Sequence, residues 1–137
     1  MDREETIKRV AMARFVNEKM DEMRKLKLTD SELKNITYLE FPDSTKTIEI
    51  SDKINYEPSS LDRTIAVKVL LERWRERYDE GSFVRVANEI NNSEIGQAIR
   101  LTVTLKRSGW QKLFSRQNPD TETIELTVTD ALKYELN

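Results

Sequence analysis

From Asp2 to about Lys27, apolar residues recur at three- and four-residue steps as Ile7, Val10, Ala13, Val16, Met20 and Met23, with no Gly or Pro between them. That spacing predicts one long amphipathic helix with these residues turned to a core. Acid-first pairs four apart, Glu4–Lys8, Glu5–Arg9 and Asp21–Lys25, support it by about 0.3 kcal/mol each. Thr29 followed three residues later by Glu32 has the form of a capping box and predicts a short helical turn. After it, ITYLEF and KTIEIS flank the turn signal Pro42-Asp43-Ser44-Thr45, which predicts a hairpin of residues 36–41 with 46–51.

The next helical pattern is SSLDRTIAVKVLLERWRERYDEG, capped by Ser59 or Ser60 and closed by Gly81, with Ala66, Val67, Leu70, Trp74 and Tyr78 inward. Ser82 is then placed to cap a third helix carrying Phe83, Val86, Ala87 and Ile90, up to Asn91-Asn92. The segment after Ser93 has two readings. With period two, Ile99, Leu101, Val103 and Leu105 form the inner face of a strand; with period 3.6, Ile95, Ala98, Ile99, Thr102 and Leu105 form a helical stripe ending at Gly109. Thr123 to Thr129 alternates strictly with Ile124, Leu126 and Val128 inward, a strand, and Asp130 is placed to start a last helical turn.

The strand reading gives an α+β fold in which antiparallel β-hairpins pack against the long N-terminal helix and the central helix pair. Its strands 36–41, 46–51, 99–106 and 122–129 would form one sheet. The helical reading resembles a winged helix-turn-helix domain over about residues 60–130: SFVRVANEI, then NN, then SEIGQAIRLTVTLKRSGWQKLF, then a polar loop and TETIELTV. The resemblance implies a recognition helix ending near Leu105-Lys106-Arg107-Ser108-Gly109-Trp110 and a wing of residues 110–116 with 122–129, behind an N-terminal helix-hairpin extension. It also implies that Gln97, Arg100, Thr104, Lys106 and Arg107 approach a major groove, with Lys112 and Arg116 near phosphates. Either way residues 1–137 read as a single domain, 1–58 carrying the first helix and hairpin and 59–137 the helix pair and C-terminal hairpin. The connector 52–60 is too short to argue for two independent domains.

Composition narrows the chemistry. The 137 residues include no His and no Cys, which removes Ser-His-Asp triads, thiol nucleophiles and His- or Cys-ligated metals. The remaining carboxylates and lysines show no suggestive spacing: Glu4-Glu5 and Asp79-Glu80 are adjacent, and Lys68 lies in mid-helix between apolar residues. No phosphate loop or calcium loop occurs, so the expectation is a protein that is not an enzyme and uses no cofactor or metal. No apolar run reaches the roughly 18 residues of a spanning helix, and the first residues lack an apolar signal core, so a cytoplasmic protein with no membrane partner is expected. Asn91-Asn92-Ser93 has the form of a glycosylation acceptor, which has no meaning in that compartment.

Charge changes the picture most. The total is 23 basic against 25 acidic residues, yet from Ile95 to Pro119 there are five basic residues and no acid. Arg100, Lys106, Arg107, Lys112 and Arg116, with Trp110 and Phe114 interleaved, are the pattern of a nucleic-acid surface: cations for phosphates and a ring for a base. The reading is a small DNA- or RNA-binding or regulatory protein whose site is Arg100, Lys106, Arg107, Trp110, Lys112 and Arg116. The alternative is a structural or protein-interaction module, of the viral or phage type, that docks on another protein or on itself through the N-terminal helix. The acids after Pro119 decide between them. If Glu122, Glu125 and Asp130 interleave with the cations across a hairpin, the basic run is neutralised within the chain.

Overall fold

The structure, a computed structural model, describes residues 2–37, 48–49, 55–56, 60–106 and 120–136. Its backbone is an α+β fold with a long N-terminal helix, and contacts gather it into two compact units, residues 1–69 and 70–137. The division falls inside a helix.

In the first unit, α1 runs Arg3–Lys25. The Asp2 side chain accepts from the Glu4 N–H at 3.2 Å, and Glu4 and Glu5 sit at the positive end of the helix dipole with Arg24 and Lys25 at the negative end. Lys27, at φ 52°, turns the chain out of the helix in the left-handed region and donates its N–H to the Arg24 carbonyl at 3.1 Å. The capping box forms as its residues predict: the Thr29 N–H donates to Glu32 Oε1 at 2.9 Å and the Glu32 N–H to Thr29 Oγ1 at 3.1 Å. It opens α2, Asp30–Thr37. Leu28 and Leu33, the two positions of a hydrophobic staple, are both buried.

The expected strand 36–41 is not formed at its start. Ile36 and Thr37 close α2, because Leu33 and Ile36 share its buried face and Arg63 Nε donates to the Thr37 carbonyl at 2.7 Å. Ile48 and Glu49 are in a strand, β1, but their partner is β2 at Asn55–Tyr56, in antiparallel register Ile48↔Tyr56 and Glu49↔Asn55. The remainder of the expected hairpin lies outside the described residues.

The six-residue stripe of α1 is also corrected. Met23 is buried and Val16 and Met20 are half-buried, but Ile7, Val10 and Ala13 are exposed. Each three-residue step turns about 300°, so the stripe slips about 60° per step and Val16 points about 180° away from Ile7. The C-terminal half of the helix can therefore face a core while the N-terminal half does not.

Helix α3, Ser60–Arg77, supplies buried Ile65, Ala66, Val67 and Val69 to the first unit and Leu70, Leu71 and Trp74 to the second. Trp74 is the core anchor that its spacing predicts, 1% exposed and stacked on Tyr78 with ring centroids 6.5 Å apart. The turn that follows differs from expectation. Gly81 does not end α3 and Ser82 does not cap the next helix. Asp79 caps α4, Glu80–Asn92, its carboxylate accepting from the Ser82 N–H at 2.7 Å. Residues 77–79 instead form a short strand-like step: Tyr78 bridges Leu105, the Asp79 N–H donates to the Thr104 carbonyl at 2.9 Å, and the Lys106 N–H donates to the Arg77 carbonyl at 2.8 Å. Ser82 Oγ is thereby freed to accept from the Thr104 N–H at 2.9 Å.

The ambiguous segment is a strand. β3, Ala98–Thr104, pairs antiparallel with β4, Thr121–Thr127, in the register Ile99↔Leu126, Leu101↔Ile124, Val103↔Glu122. Ile99, Val103, Ile124 and Leu126 are buried, as period two requires, so over residues 98–104 the chain is strand where the resemblance implied a recognition helix, whose last residues, 107–109, lie outside the described ones. Thr and Val are strand formers, and β4 supplies the matching apolar face. Among the described residues, β1–β2 and β3–β4 are separate two-stranded sheets, so the single four-stranded sheet is corrected too. Gly96, at φ 92°, makes the turn into β3. Thr129 caps α5, Asp130–Leu136, accepting from the Leu132 N–H at 3.2 Å. α5 packs on α4, where Lys133 Nζ reaches the Asn91 carbonyl at 3.4 Å.

Candidate interaction surfaces

The β3–β4 hairpin carries the described part of the expected basic site. Cross-strand partners share a face, and one face is buried. The other presents Arg100 beside Glu125, Thr102 beside Thr123 and Thr104 beside Thr121. Arg100 Nε lies 3.3 Å from Glu125 Oε1, with the two side chains 73% and 68% exposed. Glu122, one register step from the exposed face, pairs with Arg77. On the hairpin itself, as far as it is described, one cation, Arg100, has an acid opposite it, while Glu122 is taken by Arg77 at the end of α3.

Lys106 follows the Leu105 bridge with its side chain exposed. Arg107, Trp110, Lys112 and Arg116 lie outside the described residues. Of the six expected site residues, then, one is offset by a carboxylate, one is exposed on the same hairpin, and four are not placed. Both Arg100 and Glu125 are well hydrated, so their attraction is screened and small, about 0.5 kcal/mol or less. The hairpin's described face is nearly charge-neutral rather than a cationic funnel.

A second surface is one the apolar spacing hides. From Asp2 to Phe15 every side chain of the α1 region is exposed. Ile7, Val10, Met12 and Phe15 are 59%, 49%, 62% and 42% exposed, which makes four of the eight large exposed hydrophobics among the described residues fall within nine positions. The Lys19 ammonium lies 5.6 Å from the Phe15 ring, covering one side of it. The stretch is continuous with the half of α1 that carries buried Met23, and its own apolar side chains are left facing outward. The signal available in the sequence was the drift of the stripe around the helix.

Chemistry is sparse on both surfaces. Among the described residues, no group of three or more Asp or Glu side chains is placed to hold a metal ion. No described helix is long and apolar enough to cross a membrane. Asn91 sits in the last turn of α4, half-buried, with its amide oxygen turned away from solvent. Compared with protein-family models, with curated proteins and with solved structures, the chain matches none.

Proposed function

We propose that this chain is a non-enzymatic protein-interaction module whose docking element is the first half of α1. The carrying observation is the exposure of Ile7, Val10, Met12 and Phe15 on one helical stretch with no core of its own. Burying a side chain such as Ile7 or Phe15 in a partner's groove releases about 1.5–3 kcal/mol each, enough for two or three anchors to define a binding site. Ile7, Val10 and Phe15 fall within about 140° of the helix surface, the side a helix-in-groove contact would use, with Met12 at its margin. A cytoplasmic location belongs to the same proposal, since a chain with no Cys suits a reducing compartment.

The test places a photo-crosslinking residue at Ala11 of the full chain, with and without the pair Ile7→Lys and Phe15→Lys. The reading expects a discrete crosslinked species that the pair abolishes while the circular dichroism and melting temperature of the chain stay unchanged. A product that survives the double substitution, or none at all, rejects it.

Nucleic-acid binding through residues 95–119 is the second reading, supported by the acid-free stretch and by the exposed Lys106 side chain. Binding to generic single- and double-stranded DNA and RNA at low and high salt decides it, with Lys106→Glu/Arg107→Glu as the control. Without salt-sensitive binding this reading fails.

A further inference from the structure

One edge of β3 carries backbone groups that β4 does not use. The Leu105 N–H donates to the Asp120 carbonyl and the Val128 N–H to the Gln97 carbonyl, both at 2.9 Å, so the odd-numbered residues of this stretch turn their N–H and C=O groups to β4. The even-numbered residues turn theirs the other way. Thr104 shows it, accepting from Asp79 and donating to Ser82 Oγ. Beyond Thr104 the same row continues through Thr102, Arg100 and Ala98, all three exposed, and among the described residues no strand lies along it.

We propose that this edge, Ala98 to Thr102, is a docking site for an extended acidic segment of a partner protein, added as an antiparallel third strand. The edge already pairs in this way one step along, where Tyr78 bridges Leu105 in antiparallel sense. Its guards are few: between positions 98 and 102 there is no Pro and no inward-pointing charge, and Arg100 is the one charged side chain on it. Charge sets the partner's chemistry. β3 has Arg100 and no acid, and the strand it accepts on its other side places Glu125 opposite Arg100 and Thr123 opposite Thr102. An incoming strand with a carboxylate opposite Arg100 and β-branched neighbours repeats that pairing. A second copy presenting its own β3 centred on Arg100 would set guanidinium against guanidinium, which disfavours self-pairing. The site lies in the second unit and is independent of docking through α1.

The probe is a peptide of sequence DTETIELTV, identical to residues 120–128, compared with a version carrying Lys in place of both Glu residues. In the isotopically labelled full chain, the Arg100 and Thr102 amides exchange about a hundredfold faster than those of Ile99, Leu101 and Val103. Adding the acidic peptide shifts the Ala98, Arg100 and Thr102 amides saturably, and the Lys version, with repulsion in place of an exposed ion pair, binds about threefold to fivefold more weakly. Arg100→Pro removes an outward N–H together with the guanidinium and abolishes the effect, and Thr102→Pro, which keeps the guanidinium, abolishes it too. Arg100→Glu reverses the preference between the two peptides, an outcome that misfolding cannot imitate. The proposal is overturned if the Arg100 and Thr102 amides are already protected in the free chain, or if the acidic peptide produces no saturable shift at millimolar concentration. It is equally overturned if single-stranded DNA shifts those amides and the peptide does not, or if light scattering finds a dimer that Arg100→Pro dissolves.

Discussion

The Thr104 N–H donates to the Ser82 hydroxyl at 2.9 Å, joining β3 to the first turn of α4 through a serine that is only 6% exposed. Removing that hydroxyl leaves a backbone donor with no acceptor in a largely dry place. Ser82→Ala is expected to destabilise the chain by about 1–2 kcal/mol in urea unfolding, with an unchanged m-value. Ser82→Thr keeps the oxygen and recovers part of the loss.

Arg63 closes the C-terminal end of α2 by donating from Nε to the Thr37 carbonyl at 2.7 Å, and Thr37 is fully buried. Arg63→Met retains the aliphatic stem but not the donor. We expect a cost of about 1–2 kcal/mol, and Arg63→Lys recovers less than half of it because a single ammonium on a flexible stem does not reproduce the guanidinium's approach. Thermal or urea unfolding of the three proteins checks both statements.

Two backbone positions predict opposite signs. Lys27 holds φ 52° with a Cβ, so Lys27→Gly is expected to raise stability by about 0.5–1 kcal/mol. Gly96 holds φ 92°, and although nothing crowds a Cβ there, Gly96→Ala is expected to lower stability by about 1 kcal/mol or more through strain alone. Paired melting curves measure the two shifts.

The Arg100–Glu125 pair has a predicted coupling close to zero. A double-mutant cycle with Arg100→Ala and Glu125→Ala should give about 0.5 kcal/mol or less at physiological salt. A coupling above about 1.5 kcal/mol would show that the pair is far better desolvated than its exposure indicates.

Local signals were the most legible part of the fold. Thr29 and Glu32 announce their capping box because both hydrogen bonds are made within four residues. The alternation around Ile124 and Leu126 is unambiguous because only a strand turns every second residue to one side. Residues 98–104 were not decidable from their own pattern: Ile99 and Leu105 satisfy both periods, and the arbiter is β4, more than fifteen residues away. Asp79 took the capping role from Ser82 for a similar reason, since the serine is drawn off by the Thr104 N–H, a contact no local pattern encodes.

The candidate surfaces divide in the same way. The acid-free stretch from Ile95 to Pro119 is plain in the sequence, but its neutralisation at Arg100 depends on the register that sets Glu125 opposite. The exposed residues of α1 were hidden by a spacing that looks amphipathic step by step and is not so over four turns. Phe15 lay outside the expected stripe altogether and is one of the exposed anchors.

The bridge between Tyr78 and Leu105 has a kinetic meaning. It closes a loop of about 27 residues, about half of them taken up by α4, so the chain loses less freedom in making this non-local contact than an open loop of that length would. Once it forms, β3 is already laid down in extended form beside a finished helix, and β4 has a template to zip onto. The order of events in refolding should therefore be helix pair, then bridge, then hairpin, with substitutions at Tyr78 slowing folding and substitutions near Thr121 mainly hastening unfolding.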